Sequence, residues 1–374
     1  RAFLGVEFEK QRAILGAHPN AHAVLLDPHG EYAQAFGDMA EVVNTDNLQL
    51  PYWILNFEEL CEMLVSGTEP GEADAQVAIL RSAIVAAKRK HTGALDPQAQ
   101  LTVDTPVPYH LADLLKTIED GSGKLDKPDK ATPYLRLRAR IESLQNDRRY
   151  GFMFSRMMGR DSLPEIMSRL LRIPVANRPL SIVDLSGVPS EIVDVVVSLL
   201  SRIIFDFAVW SAKPLGVPIL LVCEEAHRYI PADGQPGFQA TRQALSRIAK
   251  EGRKYGVSLC LITQRPSELS PSVLSQCGTV FALRLGNERD QDFVVRALPE
   301  TSRHLVGLLP GLRPQEAVVI GEAVTVPTRV KFDDLAPEHQ PRSESAAFAD
   351  SWQHDREGES FVVQTVRRWR AQER

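Results

Sequence analysis

The chain has 374 residues, 44% apolar and 24% charged, which is the composition of a globular protein with one large or two medium domains and excludes disordered and fibrous classes. No run reaches the roughly 18 to 20 uncharged apolar residues of a membrane span, since even residues 191–210 are interrupted by Asp194, Arg202 and Asp206. The net charge is −5, so any nucleic-acid binding must come from local basic patches.

Five short, continuously apolar runs predict buried β-strands. They lie at residues 21–26, 180–185, 217–223, 257–263 and 279–285. Continuous rather than alternating apolar character is typical of strands covered on both faces. Helical periodicity is predicted at residues 192–207 and again from about residue 238 to Glu251, with Gly252 as the expected C-terminal cap. This alternation predicts a doubly wound, mainly parallel α/β sheet.

The interval between the first two predicted strands indicates an inserted helical subdomain. Helical patterns at residues 74–90 and 131–147 flank a Gly-, Lys-, Asp- and Pro-rich loop expected at residues 120–133. A terminal hairpin is predicted from residues 317–321 and 325–332, and a short basic amphipathic piece at residues 361–370. We therefore divide the chain into the first part of the core at residues 1–50, the insertion at 51–178, the rest of the core at 179–336 and a tail at 337–374.

Two acidic residues, Glu224 and Glu225, end the third apolar strand. This is the Walker B pattern of nucleotide hydrolases, in which the first carboxylate holds Mg²⁺, often through water, and the second accepts a proton from the attacking water. Successive strand residues point to opposite faces, so adjacent carboxylates can serve different partners. Two solvated acids at the start of a loop would fit the same pattern. The residues around Glu224 and Glu225 must therefore distinguish a Walker B pair from a solvated loop.

Two further side chains are candidates for the same chemistry. Gln264 ends the neighbouring strand, where it could hydrogen-bond a phosphate oxygen and the water beside Glu225, although capping the turn that follows at Pro266 is an equal alternative. Arg253 follows Gly252, a position from which a guanidinium could reach the nucleotide of a neighbouring subunit as an arginine finger. A lone arginine at a helix end is more often a solvated partner of the helix dipole.

Five segments resemble the HerA family of hexameric ATPases and occur in the same order as in that family. The family lies within the group that includes FtsK-type DNA translocases and conjugation motors. The five segments are VLLDPHGEY at residues 24–32, PLSIVDLSGVPSEI at 179–192, ILLVCEEAHRYIP at 219–231, RIAKEGRKYGVSLCLITQRPSEL at 247–269 and EAVVIGEAV at 316–324. The resemblance implies a RecA-like core, ATP with Mg²⁺ between the subunits of a homo-hexameric ring, and double-stranded DNA in its channel.

The resemblance also implies roles for individual residues. Glu224 and Glu225 match the Walker B pair, with Mg²⁺ on Glu224, while Gln264 matches the sensor and Arg253 the finger. Three residues match the family's acidic strand end near the nucleotide without individual roles. They are Asp27, His29 and Glu31.

One departure from the family concerns the phosphate-binding loop. The pattern G-x-x-x-x-G-K-[ST] is absent from the 374 residues, although its amides and lysine cradle the phosphates. Without it, tight ATP binding is not expected. The near match Gly121-Ser122-Gly123-Lys124-Leu125 lacks the hydroxyl residue and is predicted to be a flexible loop. Residues 11–15 resemble the end of the helix that follows this loop in the family, so we expect that residues between about Lys10 and Gln11 are missing from the sequence.

The resemblance implies a motor in which ATP hydrolysis drives translocation along double-stranded DNA, with a partner nuclease in DNA-end processing, or a nuclease or sirtuin-like NADase effector in antiphage defence. A non-hydrolysing ring scaffold for an effector enzyme and a conjugation-type ATPase are the alternatives.

Four cysteines without metal-binding spacing predict a reducing cytoplasm and no zinc site. Basic clusters are candidate DNA contacts, although such runs are usually solvated helix faces. They lie at residues 88–90, 136–140, 148–149 and 367–370.

Overall fold

A computed structural model describes residues 20–65, 69–92, 100–123, 128–154, 159–211, 216–232, 239–296, 307–341, 352 and 358–371. Its centre is a five-stranded parallel sheet with the spatial order β2-β3-β1-β4-β5. The strands are β1 His22–Asp27, β2 Ala40–Val43, β3 Leu180–Asp184, β4 Ile219–Cys223 and β5 Val257–Leu261. The predicted α/β class with a mainly parallel sheet is confirmed.

The register of this sheet brings the ends of its strands into line. Asp27 lies beside Asp184, and Cys223 lies beside Leu26 on one side and Leu261 on the other. The residues that follow Cys223 and Leu261 therefore emerge at the same carboxyl edge as Asp27. This edge carries the predicted acidic and amide side chains.

Two strands differ from the sequence prediction. The edge strand β2 was missed because its four residues include a charged one, Glu41, which the structure neutralises with Arg169 and Arg178. The predicted strand at residues 279–285 does not join the parallel sheet. As β6, Thr279–Ala282, it pairs antiparallel with the predicted hairpin and completes a separate three-stranded sheet.

The hairpin itself is confirmed as β7, Glu316–Gly321, and β8, Thr328–Lys331. Together with β6 it encloses a small core of its own. Its buried members are Ala282, Val294, Leu309, Leu312, Val318 and Ile320. An apolar run predicts that a strand is buried but not which strand it pairs with, and that is why β6 was misplaced.

Twelve α-helices lie within the described residues. They are α1 Ala33–Phe36, α2 Phe57–Val65, α3 Pro70–Thr92, α4 Leu111–Ser122, α5 Pro128–Asn146, α6 Gly151–Phe154, α7 Leu163–Leu171, α8 Val193–Trp210, α9 Gln239–Tyr255, α10 Pro271–Leu274, α11 Glu288–Arg296 and α12 Glu359–Ala371. Helices α8 and α9 pack against each other, and α9 also packs on β5. None of the helices in the described ranges combines the length and the apolar character that a bilayer crossing requires.

Helices α2 to α7 all lie between β2 and β3, in the interval predicted as a helical insertion. Apolar side chains of this insertion, including Trp53 and Leu80, share one continuous core with Val196 and Leu199 of α8. The loop expected at residues 120–133 is wrong for its described part, since α4 continues to Ser122 and α5 begins at Pro128. Proline at a first helical position is compatible with a helix because its missing N–H would have no partner there. The division into four parts stays a prediction.

The predicted end of helix α9 is also wrong. The helix continues past Gly252 to Tyr255, and Gly256, with φ of +78°, ends it. Gly252 is needed inside the helix, because a Cβ there would collide with the carbonyl oxygen of Val257. Close packing of α9 on the start of β5, rather than helix termination, explains this glycine.

Candidate functional site

The buried carboxylate of Asp27 organises the turn that follows β1. Its Oδ1 accepts hydrogen bonds from the backbone N–H groups of His29, at 3.2 Å, and Gly30, at 2.9 Å, and its Oδ2 accepts one from that of Tyr32, at 3.0 Å. Gly30 has φ of +73°, and a Cβ there would lie 3.1 Å from Oδ1 of Asp184, so the turn folds against the end of β3. The Asp27 carboxylate therefore stabilises the turn that follows β1.

The other two residues predicted at this strand end lie in or beside the same turn. His29 is exposed and Glu31 is partly buried. A nucleotide-binding role for Asp27, His29 and Glu31 stays a prediction.

Glu224 lies almost fully buried at the end of β4 and uses its two oxygens differently. Oε1 accepts a hydrogen bond from the hydroxyl of Tyr32 at 2.6 Å, whereas Oε2 is buried and has no hydrogen-bond partner among the described residues. Burial raises the pKa of Glu224, and the nearby carboxylates of Asp27, Glu31 and Glu225 raise it further, against the lowering effect of the Tyr32 hydrogen bond. A buried acceptor without a donor fits a position that a cation completes.

The side chains at this edge suit a magnesium ion that takes few protein ligands, and they do not form a complete protein cage for a metal. No three His, Cys, Asp or Glu side chains in the described ranges close around a single point. Magnesium usually takes one or two carboxylates and completes its shell with water and substrate phosphates. Glu224 fits the role of a single carboxylate ligand, directly or through water.

Glu225 is held in a strained conformation between two neighbours. Its backbone has φ of +50° and ψ of 42°, the left-handed region, which costs a non-glycine residue on the order of 1 to 2 kcal/mol. Oε1 accepts a hydrogen bond from Nε2 of Gln264 at 3.1 Å, and Oε2 lies 3.2 Å from Nδ1 of His227. That same Nδ1 lies 3.0 Å from Oγ1 of Thr263. The expected convergence of Glu225 and Gln264 is present, while their chemical roles stay predictions.

Arg253 lies far from these residues in its own chain. It is exposed in the last turn of α9, next to the amino end of β5, whereas Gln264 follows the carboxyl end of that strand. Strand β5 alone spans about 13 Å from Val257 to Leu261. The structure therefore does not bring Arg253 to Glu225 within one chain, and its role as a finger remains a prediction about a second copy.

Sequence reasoning missed several residues at this edge. Tyr32 and Thr263 lie within segments that carry the family resemblance, but no pattern in the sequence reveals their contacts, because their partners follow a different strand. Asp184 had a signal, an acid at the end of a buried strand beside Asp27, and His227 lies within the segment that carries the acidic pair.

Four of the basic residues proposed as DNA contacts are engaged in ion pairs. Lys90 pairs with Asp113, Arg136 with Glu72, Arg138 with Glu119 and Glu142, and Arg149 with Asp147. Lys88 is buried, while three arginines of α12 are exposed. They are Arg367, Arg368 and Arg370.

Several predictions about the phosphate loop fall partly or wholly outside the described residues. Gly121 and Ser122 end α4, so the near match starts in a helix rather than in a loop, and Lys124 and Leu125 lie outside the described part. Residues 11–15 and the junction of Lys10 and Gln11 lie outside it too.

The parallel sheet and its strand order define an α/β domain with a RecA-like fold. VirB4 of Thermoanaerobacter pseudethanolicus superposes with a TM-score of 0.58 at 15% identity, over 90% of this chain and 88% of VirB4. The plasmid coupling protein TrwB, in complex with ADP and Mg²⁺, superposes with a TM-score of 0.52 at 12% identity, over 89% and 83% of the two chains. At these identities the likeness shows the fold alone.

The family follows from sequence. The sequence model described as "Helicase HerA, central domain" matches residues 11–204, and the chain belongs to this family. The DNA double-strand break repair helicase HerA of Pyrococcus furiosus is 42% identical over 118 residues, which are 32% of this chain and 21% of the relative. A probable helicase of Methanocaldococcus jannaschii is 26% identical over 318 residues, 84% of this chain and 57% of the relative. The chain thus spans about a fifth of the first relative and somewhat over half of the second.

Proposed function

We propose that the protein is an ATP-hydrolysing motor that translocates along or unwinds double-stranded DNA as a homo-hexameric ring. The observation that carries this proposal is the contact of Glu225 with Gln264, 3.1 Å apart, next to the half-satisfied carboxylate of Glu224. In parallel α/β sheets, ligands bind beyond the carboxyl ends of the strands. The DNA repair helicases among the relatives support DNA as the substrate.

The site residues divide the hydrolytic work. When bound, ATP with Mg²⁺ would supply the phosphoryl group and a cation that neutralises its charge. Oε2 of Glu224 is the oxygen available to hold that cation. Glu225 accepts a proton from the attacking water, and the amide of Gln264 orients the water and a phosphate oxygen. Because Gln264 and His227 contact both oxygens of Glu225, the base becomes available when Gln264 turns from the carboxylate towards the water.

The position of Arg253 supports assembly into a ring. Its guanidinium is exposed and lies at the sheet edge opposite to Glu225, so a finger role requires the Arg253 of another subunit. The proposed motor works in the cytoplasm together with a partner enzyme. This partner is a nuclease or a sirtuin-like NADase effector, and the pair acts in DNA-end processing or antiphage defence.

A second candidate is a non-hydrolysing RecA-like ring that serves as a scaffold for an effector enzyme. The observation that favours it is the absence of G-x-x-x-x-G-K-[ST] from the 374 residues. The two candidates differ in one simple measurement, since a scaffold binds no ATP and a motor does.

Glu225→Gln separates binding from hydrolysis. The amide keeps the size of the side chain but cannot accept the proton, so we expect unchanged binding of a fluorescent ATP analogue and a loss of phosphate release with duplex DNA present. Normal turnover by this variant would show that Glu225 is not the base. Failure of the unaltered protein to bind ATP at all would favour the scaffold.

Mixed rings test the trans role of Arg253. Arg253→Ala should lower turnover on the order of 10³-fold or more. An interface with Glu225 from the Arg253→Ala subunit and Arg253 from a Glu225→Gln subunit is complete, so mixing the two inactive proteins should restore part of the activity. Mixtures as inactive as either parent would place the finger elsewhere.

A further inference from the structure

The hydroxyl of Tyr32 is the one hydrogen-bond donor to the Glu224 carboxylate among the residues that the structure describes. The distance from Oη of Tyr32 to Oε1 of Glu224 is 2.6 Å, which is typical of a hydroxyl bound to an ionised carboxylate. These two residues are 192 positions apart in the sequence. The contact joins the turn after β1 to the end of β4.

Tyr32 is itself fixed in place from two sides. Its backbone N–H donates to Oδ2 of Asp27, a carboxylate that is fully buried and also gathers the N–H groups of His29 and Gly30. The centroid of its ring lies 6.5 Å from that of the Phe36 ring. The Tyr32 ring also packs on a cluster of buried apolar residues, Leu25, Ala40, Leu180 and Ile182. The phenol is therefore pre-positioned before any ligand arrives.

The phenol makes the two oxygens of Glu224 unequal. Oε1 is engaged by Tyr32, and Oε2 is left buried and without a donor. Without the phenol, either oxygen could turn towards the neighbouring carboxylates or away from the site. A hydrogen bond to one oxygen of a ligating carboxylate fixes the direction of the other, as outer-shell partners do in metal sites.

We propose that Tyr32 is a positioning residue that directs Oε2 of Glu224 towards the divalent cation of the bound nucleotide. This inference rests on the proposed function and extends it to a residue with no assigned role. It also explains the buried acid at the end of β1, since Asp27 shapes the turn that carries Tyr32 and acts on the site through it.

Tyr32→Phe tests this proposal because it removes only Oη and keeps the ring. The binding of Mn²⁺ in the presence of ADP, followed by electron paramagnetic resonance on the purified protein, should weaken on the order of 10-fold. Binding of fluorescent ADP in EDTA should stay unchanged, because the proposed role of Tyr32 concerns the cation and not the nucleotide. Tyr52→Phe is the matched control, because Tyr52 also donates a buried hydrogen bond, to the carbonyl of Tyr109, away from the site.

A double-variant cycle shows whether Tyr32 acts through Glu224. In a Glu224→Gln background, Tyr32→Phe should weaken Mn²⁺ binding no further than Glu224→Gln does alone. Full Mn²⁺ affinity in folded Tyr32→Phe, or an equal loss in the Glu224→Gln background, would overturn the positioning role and leave the proposed function intact. If the unaltered protein binds no ADP with Mn²⁺, the proposed function fails and this inference fails with it.

Discussion

Replacing Arg202 with leucine should loosen the helical insertion from the core. On α8, Arg202 donates to both oxygens of Glu59 of α2, at 3.1 and 2.9 Å, and to the carbonyl of Ile54 at 2.7 Å. Glu59 is fully buried and also accepts hydrogen bonds from Ser198 and from the backbone of Asn56, both at 2.9 Å. This buried ion pair is a polar link between the insertion and α8.

The cost of breaking this link follows from the burial of its members. In Arg202→Leu the carboxylate of Glu59 keeps two neutral donors but loses its counter-charge, and removing one partner of a buried pair typically costs about 3 to 5 kcal/mol. Since 19% of the Arg202 side chain is exposed, we expect the lower end, about 3 kcal/mol of unfolding free energy. Adding Glu59→Gln removes the unpaired charge and keeps an amide oxygen as acceptor, so the double variant should be more stable than Arg202→Leu.

Tryptophan fluorescence provides a local assay for this link. Trp53, next to Ile54, is fully buried, whereas the exposed fractions of Trp210, Trp352 and Trp369 are 86%, 84% and 73%. Iodide therefore quenches the other three and leaves Trp53 to report urea unfolding of the region.

The matched control for this experiment is Arg160→Leu. Arg160 also belongs to the insertion, and its side chain and that of Glu165, 3.1 Å away, are 76% and 61% exposed. Such a surface pair is worth about 0 to 1 kcal/mol. The reasoning is refuted if Arg202→Leu loses no more stability than this control, or if the double variant is the least stable of all.

Three other outcomes are expected. Glycine has no penalty in the left-handed region, so Glu225→Gly should be about 1 kcal/mol more stable to urea than Glu225→Ala, and equal stability would argue against strain. Gly252→Ala should cost about 1 to 3 kcal/mol through its collision with the next strand, whereas Gly71→Ala, with open space around it, should cost nothing measurable. Burial lowers the pKa of Lys88 from 10.5 to about 8, so the unfolded chain binds more protons between these values. Stability relative to Lys88→Met should therefore rise from pH 8 to 10.5, by up to about 3 kcal/mol, and parallel profiles would contradict this.

The elements that the sequence predicted well are those whose signal is local. The helix of α8 was predicted because its apolar residues recur at helical spacing, and four strands of the parallel sheet because each is a short apolar run between turn residues. The position of Glu224, Glu225 and Gln264 at one edge was predicted because strands that alternate with helices end at one edge of a parallel sheet. Glycine was less informative, since Gly252 serves close packing and Gly256 ends the helix.

Other features depend on which surfaces meet after folding. Strand β2 is stabilised at the sheet edge partly by arginines that neutralise Glu41, and β6 pairs with β7 rather than with the parallel sheet. Neither outcome follows from the residues within those strands.

For this protein, the sequence by itself determined the fold class, because the order of apolar runs depends on short-range periodicity. It also determined the place of the candidate site, because the acids and the amide follow strands that run in one direction. Only the tertiary structure decided that Tyr32 donates to Glu224, that His227 and Gln264 share the carboxylate of Glu225, and that Arg253 lies at the opposite edge. These relations join residues from different strands and helices, and distances between them exist only once the sheet has formed.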